Sequence, residues 1–174
     1  ITQYWDLRSY YENKSLEISE QDLISAVDKS LREAVGRRLV SDVPVGALLS
    51  GGIDSTAVVT MMSQIQEKRI RTFTIGFEDN AYNEADHAKK IAQYLGTDHT
   101  EVVMHPSKAL DLISDIPNIF DEPFGDSSAL PSYLVSALAR RDVTVALSGD
   151  GGDEVFFGYN RYQTAPKFWQ KARW

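Results

Sequence analysis

Short apolar segments that alternate with helical segments constrain the fold of this 174-residue chain more than any other feature. The run Val45-Gly46-Ala47-Leu48-Leu49 is apolar throughout, which is typical of a strand buried on both faces. Further strands are predicted at 71–77, 98–104 and 143–147, and helices at 20–40, 53–66, 83–95, 106–120 and 129–141. Alternation of this kind forms crossover connections between parallel strands. The sequence therefore predicts an α/β fold, with a parallel twisted sheet and helices on both faces.

Local signals predict where several helices begin and end. Ser19 with Asp22 resembles a capping box and should begin the first helix, with an Asp in place of the usual Glu. Asn83 is expected to cap the helix that ends at Leu95, and Gly96 is a residue type common just past a helix end. The chain shows no internal repeat and no low-complexity tract.

Charge and composition exclude several classes of protein. The net charge is −7 and no Lys/Arg block is longer than two residues, so we expect no nucleic-acid partner. No segment approaches the ~20 consecutive apolar residues of a membrane span, and a cytoplasmic location is the expectation. The chain has no cysteine, which rules out disulfides, thiolate zinc sites and a cysteine nucleophile within it. His87, His99 and His105 lie on different predicted elements without ligand spacing, which favours structural or surface roles.

A Gly-rich loop follows the first predicted strand, with the sequence Ser50-Gly51-Gly52-Ile53-Asp54-Ser55. Two glycines allow a sharp turn that brings backbone N–H groups close to an anion, and the following helix offers its positive end. The serine hydroxyls suit phosphate oxygens, and the Asp54 carboxylate suits a Mg²⁺ ion that bridges them. The loop matches neither the Walker sequence nor Gly-x-Gly-x-x-Gly. The alternative is a tight strand-to-helix turn in which Ser50 only caps the helix.

A second Gly-rich loop follows the fourth predicted strand and carries three carboxylates, those of Asp150, Asp153 and Glu154. Carboxylates repel one another, so such a cluster indicates either a bound cation or full solvation with helix capping. Ligands of open α/β sheets bind at the carboxyl ends of the strands, where the strand order reverses. We therefore expect both loops to lie at one end of the sheet and to contact the same nucleotide.

Both loops resemble those of a known family. The first is similar to the PP-loop, Ser-Gly-Gly-x-Asp-Ser, of the ATP pyrophosphatases, and the second resembles the signature Ser-Gly-Asp/Glu-Gly-x-Asp-Glu of the glutamine-hydrolysing asparagine synthetases. Other stretches resemble the same family in the same order, namely 41–44, 121–124, 126–131 and 158–162. The resemblance extends from about residue 4 to about residue 169.

The resemblance implies a site for ATP and Mg²⁺. The residues implied to line the adenosine, mostly through backbone contacts, are Leu49, Ile75, Ser148 and Gly149. Those implied to hold the phosphates are Ser50, Gly51, Gly52 and Ser55. Asp54 and Asp153 would hold Mg²⁺, and Asp150 would be a catalytic residue near the intermediate, where many relatives carry Glu. Asp121, Glu122 and Asp126 would either face the substrate or cap the helix that begins at Ala129.

The implied reaction is adenylation of a carboxylate by ATP, followed by displacement of AMP by ammonia. In the family, a glutaminase domain with an N-terminal cysteine supplies the ammonia. We therefore expect residues 1–18 to be an arm from a missing glutaminase domain and residues 19–174 to be a synthetase domain that is truncated at its C-terminus. The acceptor would be aspartate, and a homodimer is possible. The alternatives are another carboxylate such as a sugar acid or a β-lactam precursor, a tRNA-modifying PP-loop enzyme, and a non-catalytic nucleotide-binding module.

Overall fold

The computed structural model describes residues 2–6, 8–9, 18–78, 84–122 and 125–172. Its helices are α1 (Glu20–Arg38), α2 (Ile53–Ile65), α3 (Ala85–Leu95), α4 (Pro106–Asp111), α5 (Ile116–Ile119), α6 (Ala129–Ala139), α7 (Gly152–Phe156) and α8 (Asn160–Ala172). Its strands are β1 (Val45–Leu48), β2 (Arg71–Phe77), β3 (Asp98–Met104) and β4 (Val145–Leu147). A 3₁₀ turn, Ile113–Asp115, separates α4 from α5. In these described ranges, no helix combines the length and the apolar character that crossing a membrane requires.

The four strands form one parallel sheet in the order β3-β2-β1-β4. The chain leaves β1 on one side to build β2 and β3, and then returns to the other side of β1 to add β4. Ala47 of β1 pairs with Thr72 on one side and with Leu147 on the other. The strand order thus reverses between β1 and β4, which is where ligands of such sheets bind.

Helices cover both faces of the sheet, as the sequence predicts. On one face, α1, α2 and α3 pack on β1 through an apolar cluster that includes Val35, Leu49, Val59, Met62 and Ala92. On the other face, α6 packs through a second cluster, whose buried members are Phe73, Leu138, Ala139 and Val143. Burial on both faces explains why β1 is apolar throughout.

The helix predicted at 106–120 is wrong, because the structure breaks this segment into α4, the 3₁₀ turn and α5. Pro117 accounts for the break, since proline lacks a backbone N–H and is tolerated only in the first turn of a helix. In the structure it lies in the first turn of α5. The fourth strand also begins at Val145 instead of residue 143. Val143 packs beneath α6 before the strand starts.

The predicted ends of two helices agree with the structure. The Ser19 hydroxyl accepts a hydrogen bond from the Asp22 N–H at 3.2 Å and donates one to the Asp22 carboxylate at 2.6 Å. Gly96 ends α3 with a φ of 67°, a conformation that glycine adopts without strain. Asn83 lies outside the described residues.

His99 lies on β3 beneath α3 and belongs to a small polar group at the sheet surface. The Thr72 hydroxyl lies 2.9 Å from His99 Nδ1 and 2.8 Å from the Thr97 hydroxyl. Burial lowers the pKa of His99, the Glu101 carboxylate opposes this change, and the Lys89 ammonium adds to it. Lys89 also pairs with Glu101 at 3.8 Å. The burial of His99 therefore favours its neutral form.

We expect this histidine to make stability depend on pH. Its pKa in the folded protein lies below the ordinary value of 6.5, so the unfolded chain binds more protons in the interval between the two values. The contribution of His99 is complete above that ordinary value and is lost as the pH falls through the interval. Urea unfolding of the intact protein from pH 8 to pH 5 should show this loss. A His99→Gln variant should lose less stability over the same range, and equal slopes for both proteins would contradict the assignment.

Candidate functional site

The two Gly-rich segments of the sequence lie side by side at the carboxyl ends of β1 and β4. Each segment runs into a helix, so the part before α2 (residues 49–52) is called here the first loop and the part before α7 (residues 148–151) the second loop. A methyl group added to Gly149 would lie 2.6 Å from the Ser55 backbone nitrogen and 3.0 Å from Asp54 Cβ. Glycine at this position thus lets the second loop pack on the first turn of α2. The predicted placement of both loops at one end of the sheet is confirmed.

Two serines hold the first loop in shape. The Ser50 and Ser55 hydroxyls lie 3.0 Å apart, and the Ser50 hydroxyl accepts a hydrogen bond from the Gly52 N–H at 3.2 Å. The Ser55 hydroxyl in turn accepts from the Ser50 N–H at 3.3 Å. Ser55 is buried and Ser50 is exposed, so the inner serine braces the loop while the outer one faces solvent. The N–H groups of the first turn of α2 have no partners within the helix and can donate to an anion.

Gly51 links the first loop to α3. Its φ of 85° is one that glycine adopts readily, and a methyl group there would lie 2.8 Å from the Ala88 nitrogen and 2.9 Å from His87 Cβ. The first turn of α3 therefore forms a wall beside the loop. His87 is exposed next to this wall, a position that its spacing in the sequence does not indicate.

Leu49 and Ile75 point to opposite faces of the sheet. Leu49 is 1% exposed and packs in the cluster with α1, α2 and α3, whereas Ile75 packs against the cluster beneath α6. The structure does not bring their side chains together, which leaves backbone contacts for their predicted adenosine role. The Leu49 carbonyl accepts a hydrogen bond from the buried Thr74 hydroxyl. This role of Thr74 was not predicted from the sequence. The signal that could have indicated it is a polar residue at a buried position of β2.

The carboxylates of the site occupy different environments. A methyl group on Gly152 would overlap the Asp54 carboxylate, so the absence of a side chain at 152 makes the space that this carboxylate fills. Asp54 and Asp153 are half-buried, whereas Asp150 is exposed. The Asp150 carboxylate accepts a hydrogen bond from the Ser148 hydroxyl at 3.0 Å.

Asp54 and Asp153 are the carboxylates that the sequence predicts for a Mg²⁺ ion. Their oxygens are the hard donors that Mg²⁺ prefers, and the space left by Gly152 keeps the Asp54 carboxylate beside the second loop. Across the described ranges, no three His, Asp or Glu side chains form a cluster able to hold a metal. Mg²⁺ at nucleotide sites binds through one or two carboxylates plus phosphates and water, so the side chains of Asp54 and Asp153 carry the kind of donor atom that such an ion would take.

A cluster of aromatic and charged side chains follows the second loop. The Tyr159 hydroxyl donates to Glu154 Oε1 at 2.7 Å, and the Arg161 guanidinium lies 4.1 Å from the centre of the Tyr159 ring. The hydrogen bond to Glu154 raises the pKa of Tyr159 to about 12. The same bond lowers the pKa of Glu154, which keeps this carboxylate ionised.

The remaining acidic candidates lie before α6. Asp126 accepts a hydrogen bond from the Ser128 N–H at 2.7 Å, and this bond lowers the pKa of its carboxyl group. Its carbonyl accepts a hydrogen bond from the Ala129 N–H at 3.1 Å, so Asp126 binds backbone N–H groups at the start of α6. Asp121 and Glu122 are exposed, and their role at a substrate stays a prediction.

The sequence matches the model of a known family and is similar to several known proteins. The model of the asparagine synthase family matches residues 26–174. The chain is 45% identical over 160 residues to a putative glutamine-hydrolysing asparagine synthetase of Methanocaldococcus jannaschii. The aligned segment covers 90% of this chain and 30% of that protein. It is 39% identical over 150 residues to the glutamine-hydrolysing asparagine synthetase 1 of Bacillus subtilis, and this alignment covers 86% of this chain and 24% of that protein. The chain thus spans less than a third of the length of these relatives.

Solved structures share the fold at low sequence identity. A glutamine-dependent NAD⁺ synthetase of Acinetobacter baumannii, solved with ADP, superposes with a TM-score of 0.58 at 19% identity, over 84% of this chain and 29% of that one. An NMN synthetase of Francisella tularensis superposes with a TM-score of 0.55 at 14% identity, over 78% of this chain and 58% of that one. At these identities the likenesses show the fold alone, whereas the family model, which matches most of the chain, shows the family. The chain belongs to the asparagine synthase family.

Proposed function

We propose that this domain binds ATP between its two Gly-rich loops and transfers the adenylyl group to a carboxylate, which ammonia then converts to an amide. The observation that carries the proposal is the contact of Gly149 with the first turn of α2. This contact joins the two loops that resemble signatures of the ATP pyrophosphatases and the asparagine synthetases into one surface at the strand-order reversal.

The first loop is proposed to hold the pyrophosphate end of ATP. Ser50 presents an exposed hydroxyl, and the glycines at 51 and 52 let the loop backbone approach an anion closely. Ser55 supports the loop from beneath through its bond to Ser50. The second loop, through Ser148 and Gly149, would cover the adenosine side together with the backbone at Leu49 and Ile75. Binding energy would thus be used to fix the α-phosphate where an acceptor can reach it.

Asp54 and Asp153 are proposed to hold Mg²⁺. When bound, this ion would offset the negative charge that builds on the leaving pyrophosphate. A carboxylate oxygen of the acceptor attacks the α-phosphorus of ATP. The bond between the α-phosphorus and the oxygen that bridges it to the β-phosphorus breaks, and pyrophosphate leaves. Ammonia then attacks the acyl carbon, and AMP and a proton are released. Asp150, exposed and oriented by Ser148, would lie near the intermediate as a catalytic residue.

Aspartate is the proposed acceptor, and the product would be asparagine. The relatives from Methanocaldococcus jannaschii and Bacillus subtilis carry this activity in their names, together with hydrolysis of glutamine. Because this chain contains no cysteine, the ammonia would come from a glutaminase region outside these 174 residues.

Exchange of labelled pyrophosphate into ATP tests the proposal on the intact protein. We expect exchange that requires Mg²⁺ and aspartate, because the adenylate forms reversibly only when an acceptor is present. Glutamate, a sugar acid and a buffer without any carboxylate serve as controls. Exchange that proceeds equally well without a carboxylate would contradict adenylation, and exchange with the sugar acid alone would contradict aspartate as the acceptor.

A further inference from the structure

The segment between α7 and α8 folds back onto Asp153. The Gly158 N–H donates to the Asp153 carbonyl at 3.0 Å. A methyl group added to Gly158 would overlap the Asp153 carboxylate, so the backbone of this turn lies directly against Oδ1 of that side chain. Gly158 thereby limits the positions that the Asp153 carboxylate can occupy.

Phe157 bends the chain into this arrangement. Its φ of 59° lies in the left-handed region, which a bulky side chain seldom adopts, and among the described residues no other non-glycine residue has a positive φ. Such a conformation persists only where the surroundings hold it, and it is often found beside functional sites. Here it ends α7 and places Gly158 over Asp153.

Side chains beyond the turn hold it closed. Tyr159 reaches back to the Glu154 carboxylate at 2.7 Å, and Arg161 lies over the Tyr159 ring at 4.1 Å. Tyr162 packs against both Tyr159 and Phe157, with ring centres 5.6 Å and 5.4 Å apart. A hydrogen bond to an ionised carboxylate and a cation–π contact are both stronger than ordinary surface contacts.

We propose that the turn at residues 157–162 is a positioning device for Asp153. Gly158 sets the place of the Asp153 carboxylate, and the bond between Tyr159 and Glu154 locks the turn. This assigns different tasks to neighbouring carboxylates, since Glu154 holds the turn while Asp153 is left to face a ligand. The proposal rests on the proposed function, in which Asp153 binds Mg²⁺ together with ATP.

Gly158→Ala in the intact protein tests the device, because its methyl group would displace the Asp153 carboxylate. The readout is the affinity for a non-hydrolysable ATP analogue by titration calorimetry, with Mg²⁺ and with EDTA. We expect the dissociation constant with Mg²⁺ to rise about tenfold or more, as is typical when a residue that orients a metal ligand is changed. The constant in EDTA should stay unchanged. Gly125→Ala is the matched control, since no residue that the structure describes lies within 4 Å of the added methyl group.

Two further variants separate this role from a general effect on folding. In an Asp153→Ala background, Gly158→Ala should produce no additional loss, because the carboxylate through which it acts is gone. Tyr159→Phe keeps the ring and removes only the hydroxyl, and it should weaken Mg²⁺-dependent binding less than Gly158→Ala.

The outcomes distinguish the two proposals. Wild-type binding that depends on Mg²⁺ but is unchanged by Gly158→Ala would overturn the positioning role alone, as would an equal loss with and without the metal. Wild-type binding of the analogue that ignores Mg²⁺ would overturn the metal part of the proposed function and the positioning role with it.

Discussion

Replacing Asp54 or Asp153 by Asn in the intact protein is expected to reduce ATP–pyrophosphate exchange by about 100-fold or more. Each substitution keeps the shape of the side chain but removes a negative charge that would hold Mg²⁺ against the departing pyrophosphate. Loss of one preorganised electrostatic contact in a transition state commonly costs a factor of this order. Both residues are half-buried beside the second loop, so the fold should survive an isosteric change. Thermal unfolding should therefore stay close to that of the wild type.

Asp111→Asn provides the matched control, because Asp111 is exposed at the end of α4, outside the two loops. It should leave the exchange rate unchanged. An exchange rate like that of the wild type in Asp54→Asn or Asp153→Asn would refute the assignment of that residue as a metal ligand. A rate that recovers at high Mg²⁺ concentration would instead identify a loss of metal affinity as the cause.

Gly149→Ala is expected to abolish exchange and to destabilise the protein by about 1–3 kcal/mol or more. Its methyl group would lie 2.6 Å from the Ser55 nitrogen, which is backbone of α2 and cannot rotate away. The two loops must then separate, and the surface proposed to hold ATP is lost. Urea unfolding and binding of an ATP analogue measure the two parts of this effect.

Gly152→Ala is the informative comparison for Gly149→Ala. The three atoms nearest to its methyl group would all belong to the end of the Asp54 side chain, which can rotate. We therefore expect Gly152→Ala to weaken Mg²⁺-dependent binding while stability changes little. Gly125→Ala, whose methyl group meets none of the described residues within 4 Å, controls for the intrinsic effect of replacing glycine. If Gly149→Ala matched Gly125→Ala in both measurements, the contact between the loops would not matter.

Most of the helices and strands could be predicted from the sequence because their signals are local. The apolar run at β1, the cap at Ser19 and the left-handed Gly96 each depend on a few neighbouring residues, and the structure agrees with all three. The prediction of one helix at 106–120 was wrong because the apolar spacing of this segment suits a helix, whereas Pro117 fits only in the first turn of one. A new helix therefore begins just before Pro117.

The sequence by itself determined the fold class, the two loops and the residue types at the proposed site. The spacing of apolar residues and the positions of glycines act over short distances along the chain, so both can be read from the sequence alone. Only the tertiary structure decided how these parts meet. It placed Gly149 on α2, His87 beside Gly51, and the Asp153 carboxylate under Gly158. It also directed the Glu154 carboxylate toward Tyr159. Such contacts depend on strand order and on the left-handed backbone of Phe157, because small backbone rotations there decide which side chains come together.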